Sequence, residues 1–173
     1  ANKQTNGIYI SSFKASDIRS NRINGFSKGV YFGCSSFGSR FENNILTRNH
    51  IDAYVGCDPG IPLRNNAFAS SSSGGYGLYN SHFNDVDAKN VYWGESARSQ
   101  MNGGGNTKNI TRIYDKFDYT ASGHVLYSGW LSDTNGTPNP SGMEGYIQIL
   151  DVSYIQRPRV PVGQSIRVRV IDG

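Results

Sequence analysis

The chain has 173 residues, enough for one domain with a core of its own and a small appendage. Only 17% of it is charged, while Gly (21) and Tyr (11) are abundant beside Asn and Ser, a mixture too poor in helix formers for a helical bundle. The net charge of +4 comes from scattered basic residues without a Lys/Arg run, which argues against nucleic acid and leaves acidic sugars compatible; no stretch is apolar enough to span a membrane.

The chain opens Ala1-Asn2-Lys3-Gln4-Thr5 with no Met and no apolar leader, so the expectation is a processed chain or a piece of a longer one. Four segments then repeat: Gly7-Ile8-Tyr9-Ile10, Gly29-Val30-Tyr31-Phe32, Asp52-Ala53-Tyr54-Val55 and Gly77-Leu78-Tyr79-Asn80. Their tyrosines lie 22, 23 and 25 residues apart, and Asn21, Asn43 and Asn65 keep a 22-residue step. Two residues beyond each Asn stands Ile23, Ile45 or Ala67. Each unit holds an apolar strand, a polar turn, a second short strand, an Asn turn and a third short strand, which is one turn of a parallel β-helix. Leucine-rich repeats share the period but need a Leu consensus that is missing, and Gly-rich hairpins would not hold register over four units. The expected fold is all-β: a right-handed parallel β-helix of about four coils of 22–25 residues, a C-terminal capping segment and two extra strands.

Alternation along a strand turns Ile8, Ile10, Val30, Phe32, Ala53, Val55 and Leu78 inward, with Asn80 breaking the series. Equivalent residues of adjacent coils then sit roughly 4.8 Å apart, with the turn residues Asn21, Asn43 and Asn65 buried and hydrogen-bonded along a ladder. Cys34 and Cys57 each follow their coil's tyrosine by three residues. At about 5 Å between Cα atoms they are within disulfide range, so a bridge is expected in an oxidising compartment, with a reduced pair as the alternative.

Beyond the fourth coil come Ala88-Lys89-Asn90-Val91-Tyr92-Trp93-Gly94, a loop over residues 95–108 containing Gly103-Gly104-Gly105, then Ile113-Tyr114-Asp115, Gly123-His124-Val125-Leu126-Tyr127 and Trp130-Leu131. This order resembles the C-terminal end of bacterial pectin-lyase-like β-helix proteins, over roughly residues 6–132. The resemblance implies that the Asn-x-x-Trp-Gly element closes the last coil and that the Ile-x-Asp, Gly-x-Val-x-Tyr and Trp-Leu elements pack over its end. An open coil exposes unpaired backbone and apolar side chains, and Trp93 and Trp130 are large enough to plug it. Coil-like sequence begins almost at residue 6 without such a plug, so upstream coils of a larger chain, or a partner chain, are expected at that end.

Residues 1–132 are thus expected to form the coils and closing segment, and residues 133–142 a linker or long turn. Residues 143–173 hold two strand-like runs, Gly145 to Val152 and Gln164 to Ile171. In the second, Ile166, Val168 and Val170 alternate with Arg167 and Arg169. Two strands bury no core alone, so they dock on the coils or, with Val160-Pro161-Val162-Gly163, begin a β-sandwich module.

For function, the tyrosine row is the leading candidate. Tyr9, Tyr31, Tyr54 and Tyr79 should face outward on one sheet, and aromatic faces with hydroxyl edges suit sugar rings; cover by a loop or by the C-terminal strands is the alternative. Arg48, His50 and Asp52 alternate along one strand, with Asp58 and Arg64 near, and a trio sharing one side suits acid/base chemistry; solvated strand-face residues are the plainer alternative. The family resemblance implies lyases that pair calcium carboxylates with a basic residue, or hydrolases with clustered aspartates. Asp85 and Asp87 on one side of a strand are the candidate calcium ligands, two carboxylates where calcium takes six or more oxygens. The triple glycine lacks the strand and helix of a phosphate loop, and His82 and His124 lack metal-ligand spacing. Asn109-Ile110-Thr111 and Asn135-Gly136-Thr137 are glycosylation sequons, meaningful only in a eukaryotic secretory host. The expectation is a polysaccharide-directed module of a secreted or cell-surface bacterial protein, a lyase or glycoside hydrolase if an enzyme. A structural or adhesive spacer and a phage-type tail spike are the alternatives.

Overall fold

The computed structural model describes residues 5–11, 16–34, 39–57, 60–70, 74–142, 146–149 and 168–171. In chain order come β1 (Asn6–Ile10), β2 (Asp17–Arg19), β3 (Arg22–Asn24), β4 (Lys28–Phe32), β5 (Arg40–Glu42), β6 (Ile45–Thr47), β7 (Ile51–Val55), β8 (Ala67–Phe68), β9 (Tyr76–Asn80) and β10 (Val86–Asp87). Then follow α1 (Gly94–Asn102), β11 (Ile113–Tyr114), β12 (Val125–Leu126), a 3-10 turn (Pro140–Gly142), β13 (Tyr146–Ile149) and β14 (Val168–Ile171). The fold is all-β, its sheets mostly parallel.

Each strand of the three main sheets stacks in parallel on its equivalent in the neighbouring repeat. The main sheet runs β1-β4-β7-β9-β11, a second pairs β2 with β5, and a third runs β3-β6-β8. The chain visits them in rotation, so side chains at one repeat position form a column. Ile8, Val30, Ala53, Leu78 and Ile113 are in line, as are Ile10, Phe32, Val55 and Asn80. These columns meet Ile23, Leu46 and Phe68 of the third sheet in a common core, with Phe41 edge-on to Phe32. Ile8, on the outermost strand, is only half-buried. Asn80 is fully buried, and its Nδ2 donates to the Asn84 and Gly123 carbonyls, which ties the main sheet to the closing segment.

The asparagine ladder stands one residue from where the 22-residue step puts it. Register pairs Arg22 with Ile45 and Ile45 with Ala67, so Asn21, Asn44 and Asn66 form the column. The Asn44 backbone N–H and Nδ2 both donate to Asn66 Oδ1, at 2.9 and 3.2 Å, and Asn21 donates to Asn44 Oδ1 in the same way. Asn43 and Asn65 are exposed instead, with φ of 57°, the left-handed turn that Asn tolerates. The same offset makes Leu46 the core residue and leaves Ile45 half-buried.

The segment expected as a loop over 95–108 begins with α1. Ala97 and Met101, four apart and so on one face, are buried, and Glu95 pairs with Arg98 across one turn. Trp93 is buried edge-on to Phe68. Trp130 is buried too, its Nε1 donating to Asn102 Oδ1 at 2.8 Å. Residues 133–142 form a turn bound to this end: Leu131 bridges Pro138, the Asn139 N–H donates to the Trp130 carbonyl, and Gly142 lies against the Trp130 ring. Beyond it, β13 and β14 pair antiparallel. Residues 150–167, including Val160-Pro161-Val162-Gly163, Ile166 and Arg167, lie outside the described residues. No helix of the described residues is long and apolar enough to cross a membrane.

Candidate functional site

The main sheet carries Tyr9, Tyr31, Tyr54 and Tyr79 in one register column, and β11 adds Tyr114 as a fifth member. Adjacent rings stack with centroids 5.0, 5.0, 5.1 and 4.0 Å apart. Tyr76 stands edge-on to both Tyr79 and Tyr114. Stacked at strand spacing, the rings cover one another's faces, so the row turns hydroxyl-bearing rims outward. Tyr9 is 59% exposed and the rest are half-buried. The rings lean toward the strand ends, where Gly33 and Gly56 leave room: a Cβ at Gly56 would lie 2.4 Å from the Tyr31 hydroxyl. Lys28 Nζ lies 4.2 Å from the Tyr54 ring centroid and 5.0 Å from that of Tyr31. Burial, then the neighbouring Tyr54 and Tyr9, push the Tyr31 phenol up; burial, then Tyr114, push that of Tyr79 up to about 12. Both keep their protons at neutral pH and remain donors. Tyr114 does not follow the 22–25-residue step: it stands 35 positions after Tyr79, with α1 in between.

Arg48, His50 and Asp52 do not share a side. Arg48 sits in a left-handed turn with φ of 57°, and β7 begins only at Ile51, so strand alternation does not extend across the three. Arg48 and His50 are exposed, whereas Asp52 is fully buried at the corner between the third sheet and the main sheet. Its Oδ1 accepts from Asn49 Nδ2 at 3.0 Å and from the Ser70 hydroxyl, and its Oδ2 accepts from the Ser70 N–H at 2.9 Å. Arg112 Nη2 lies 3.6 Å from that Oδ2, and Arg112 Nη1 donates to the Gly75 carbonyl. Burial pushes the Asp52 carboxyl up to about 6, against the opposing pull of Ser70, Asn49 and Arg112. Asp52 therefore acts as an internal corner tie, and Arg112, unmarked by any motif, fastens the closing segment to it.

Asp85 and Asp87 are each engaged by protein donors. The His124 N–H donates to Asp85 Oδ1 at 2.8 Å. Arg64 pairs with Asp87 Oδ2, and the Lys89 N–H donates to its Oδ1. Burial pushes the Asp87 carboxyl up, but Arg64 and the Lys89 N–H outweigh it and hold it below the usual carboxylate range. Among the described residues, no three His, Cys, Asp or Glu side chains gather as calcium or another metal would need. Cys34 and Cys57 are disulfide-bonded, with Cα atoms 4.9 Å apart, beside the rim where the Tyr hydroxyls lie. Asp58 lies outside the described residues.

Set against protein-family models, curated proteins and solved structures, the chain matches none.

Proposed function

We propose that the stacked repeats are turns of a right-handed parallel β-helix of the pectin-lyase-like kind, and that the chain is a glycan-binding module of a secreted or cell-surface bacterial protein. The five-membered tyrosine row, stacked in register along the main sheet and at least partly exposed at every member, is the observation that carries this. Its hydroxyls repeat at the strand spacing and offer donors and acceptors to a polyhydroxylated chain laid across the coils, while Lys28 adds a cation for acidic units. Within the row, the outer face of Tyr9 is where a sugar ring can stack directly. The disulfide supports an oxidising compartment. Binding is favoured over cleavage because Asp52 is turned inside, away from Arg48 and His50.

The test is binding isotherms for soluble oligosaccharides from acidic and neutral polymers, taken on the parent chain and on the Tyr31→Ala/Tyr54→Ala double variant. Affinity should fall by roughly tenfold or more, the equivalent of losing one or two hydrogen bonds, with the far-UV spectrum unchanged. Equal isotherms would remove the row as the site.

A rigid spacer or adhesive stalk is the second reading, favoured by the face-to-face stacking itself, which stiffens the sheet without needing a ligand. Among the described residues β1 pairs only with β4. Its other edge fits upstream coils or the strand of a partner chain.

A further inference from the structure

The tyrosine row is not the only surface of the described residues that could receive a ligand. A cleft of about 940 Å³ lies on another side, along the turns where Asn43, Asn65 and Asn90 follow one another. These three share one conformation, with φ of 57°, 57° and 54°. They also share one backbone ladder: the Asn43 N–H donates to the Asn65 carbonyl, Asn65 to Asn90, and Asn90 to Ser128. Their side chains therefore repeat at strand spacing, spanning roughly 10 Å over three coils. The contrast with the next residue in each turn is sharp. Asn44 and Asn66 point in and spend their amides on the ladder, while the carboxamides of Asn43, Asn65 and Asn90 make no hydrogen bond to any described residue. Left-handed backbone alone does not require Asn here: Ser20, with φ of 59°, holds the same position in the first coil, and it does not line the cleft.

The opposite wall is the turn after Trp130. It is held rigid by Asp133, whose carboxylate accepts from the Asn135 and Thr137 N–H groups and the Thr137 hydroxyl. The lining adds apolar patches from Ile45, Leu131 and Pro138. Its charges nearly balance, with Arg64 and Lys89 set against Asp133, and Arg64 already paired with Asp87. A row of amides over apolar patches in a weak field matches a chain with hydroxyl edges and C–H faces.

We infer that this cleft is a binding subsite for a neutral oligosaccharide segment, held by the carboxamides of Asn43, Asn65 and Asn90. The inference rests on the glycan reading and moves the enclosed part of the site from the tyrosine row to the asparagine turns. The chain laid there contacts the amides in succession, so binding should be insensitive to salt.

The test is a titration of the whole chain with neutral oligosaccharides (cello-, xylo-, manno- and laminari-series) and with oligogalacturonate. Side-chain amide NMR signals are followed, and affinities are compared with those of Asn43→Gly/Asn65→Gly, which keeps the left-handed turns and removes two carboxamides. Expected are shifts of the Asn43, Asn65 and Asn90 amide signals by a neutral oligomer in low and high salt, and a loss of roughly tenfold or more in affinity in the variant. Binding that leaves those signals unmoved and the variant unaffected overturns the cleft while leaving the glycan reading intact. Binding of oligogalacturonate alone, abolished by salt, overturns it as well. Failure of every sugar to bind the parent sinks both.

Discussion

Asp52 occupies a register position that its neighbours leave to glycine. Gly7, Gly29 and Gly77 flank it along the main sheet, and Arg112 ends the column. A Cβ at Gly29 would lie 2.8 Å from Asn49 Nδ2 and 2.9 Å from Leu46 Cδ2, so this position points into the corner, where that repeat has no room. The third repeat fills it with a carboxylate surrounded by donors, and Arg112, two strands away in the same column, brings its Nη2 to 3.6 Å from Asp52 Oδ2. Strand parity assigned Asp52 to the outward face; the glycines at the same place in three other repeats were the available sign that the position turns inward. The energetic consequence is a pH dependence of known sign. With its carboxyl at about 6 in the fold and near 4 in the unfolded chain, the native state binds more protons between those values. Its contribution is fully present below pH about 4 and is lost as pH rises through about 6, a swing of roughly 2–3 kcal/mol. Subtracting the denaturant-unfolding free energies of Asp52→Asn from those of the parent between pH 4 and 8 should show that slope. A flat difference would mean that Asp52 is charged throughout.

At the scale of the turn, neighbouring asparagines have opposite jobs. Asn66 accepts from the Asn44 backbone and side chain, and its Nδ2 donates to the carbonyls of Phe41, Leu63 and Arg64. Removing its amide leaves buried backbone groups unpaired, each worth about 1–3 kcal/mol. Asn66→Ala should therefore cost roughly 2–4 kcal/mol in unfolding free energy, whereas Asn65→Gly, one residue earlier, should cost little because the left-handed turn suits glycine. Equal losses in thermal unfolding of the two variants would contradict the assignment. The Asn-Asn doublets at 43–44 and 65–66 made the ladder visible in the sequence, but a doublet does not say which member faces in. That was decided by Asn21, which follows Ser20 and stands 23 residues before Asn44. The helix α1 was legible only in the spacing of Ala97 and Met101, because the surrounding Gly, Ser and Asn are weak helix formers.

Over the whole molecule, the tyrosine and aliphatic columns followed directly from the repeat, since residues a fixed step apart in parallel strands must stack. The closing segment was legible as a set of large residues needing cover: Trp93, Tyr127 and Trp130 are all buried there. What could not be read was the way distant pieces meet. The Asp52–Arg112 contact, the arrival of Tyr114 on the row and the turn of residues 133–142 over Trp130 all join segments separated by irregular lengths of chain. The cleft belongs to the same class, because it exists only where that turn stands off the asparagine side. Under the proposed reading, a glycan chain would meet two faces of this molecule, a row of phenol rims and an amide-lined cleft. The measurement that tests this most directly is native electrophoresis of the intact chain through gels cast with a panel of acidic and neutral polysaccharides. Retardation by at least one polymer, relative to a gel without it, is the result expected. Unaltered mobility in every gel would contradict glycan binding and leave the stacked coils as a spacer.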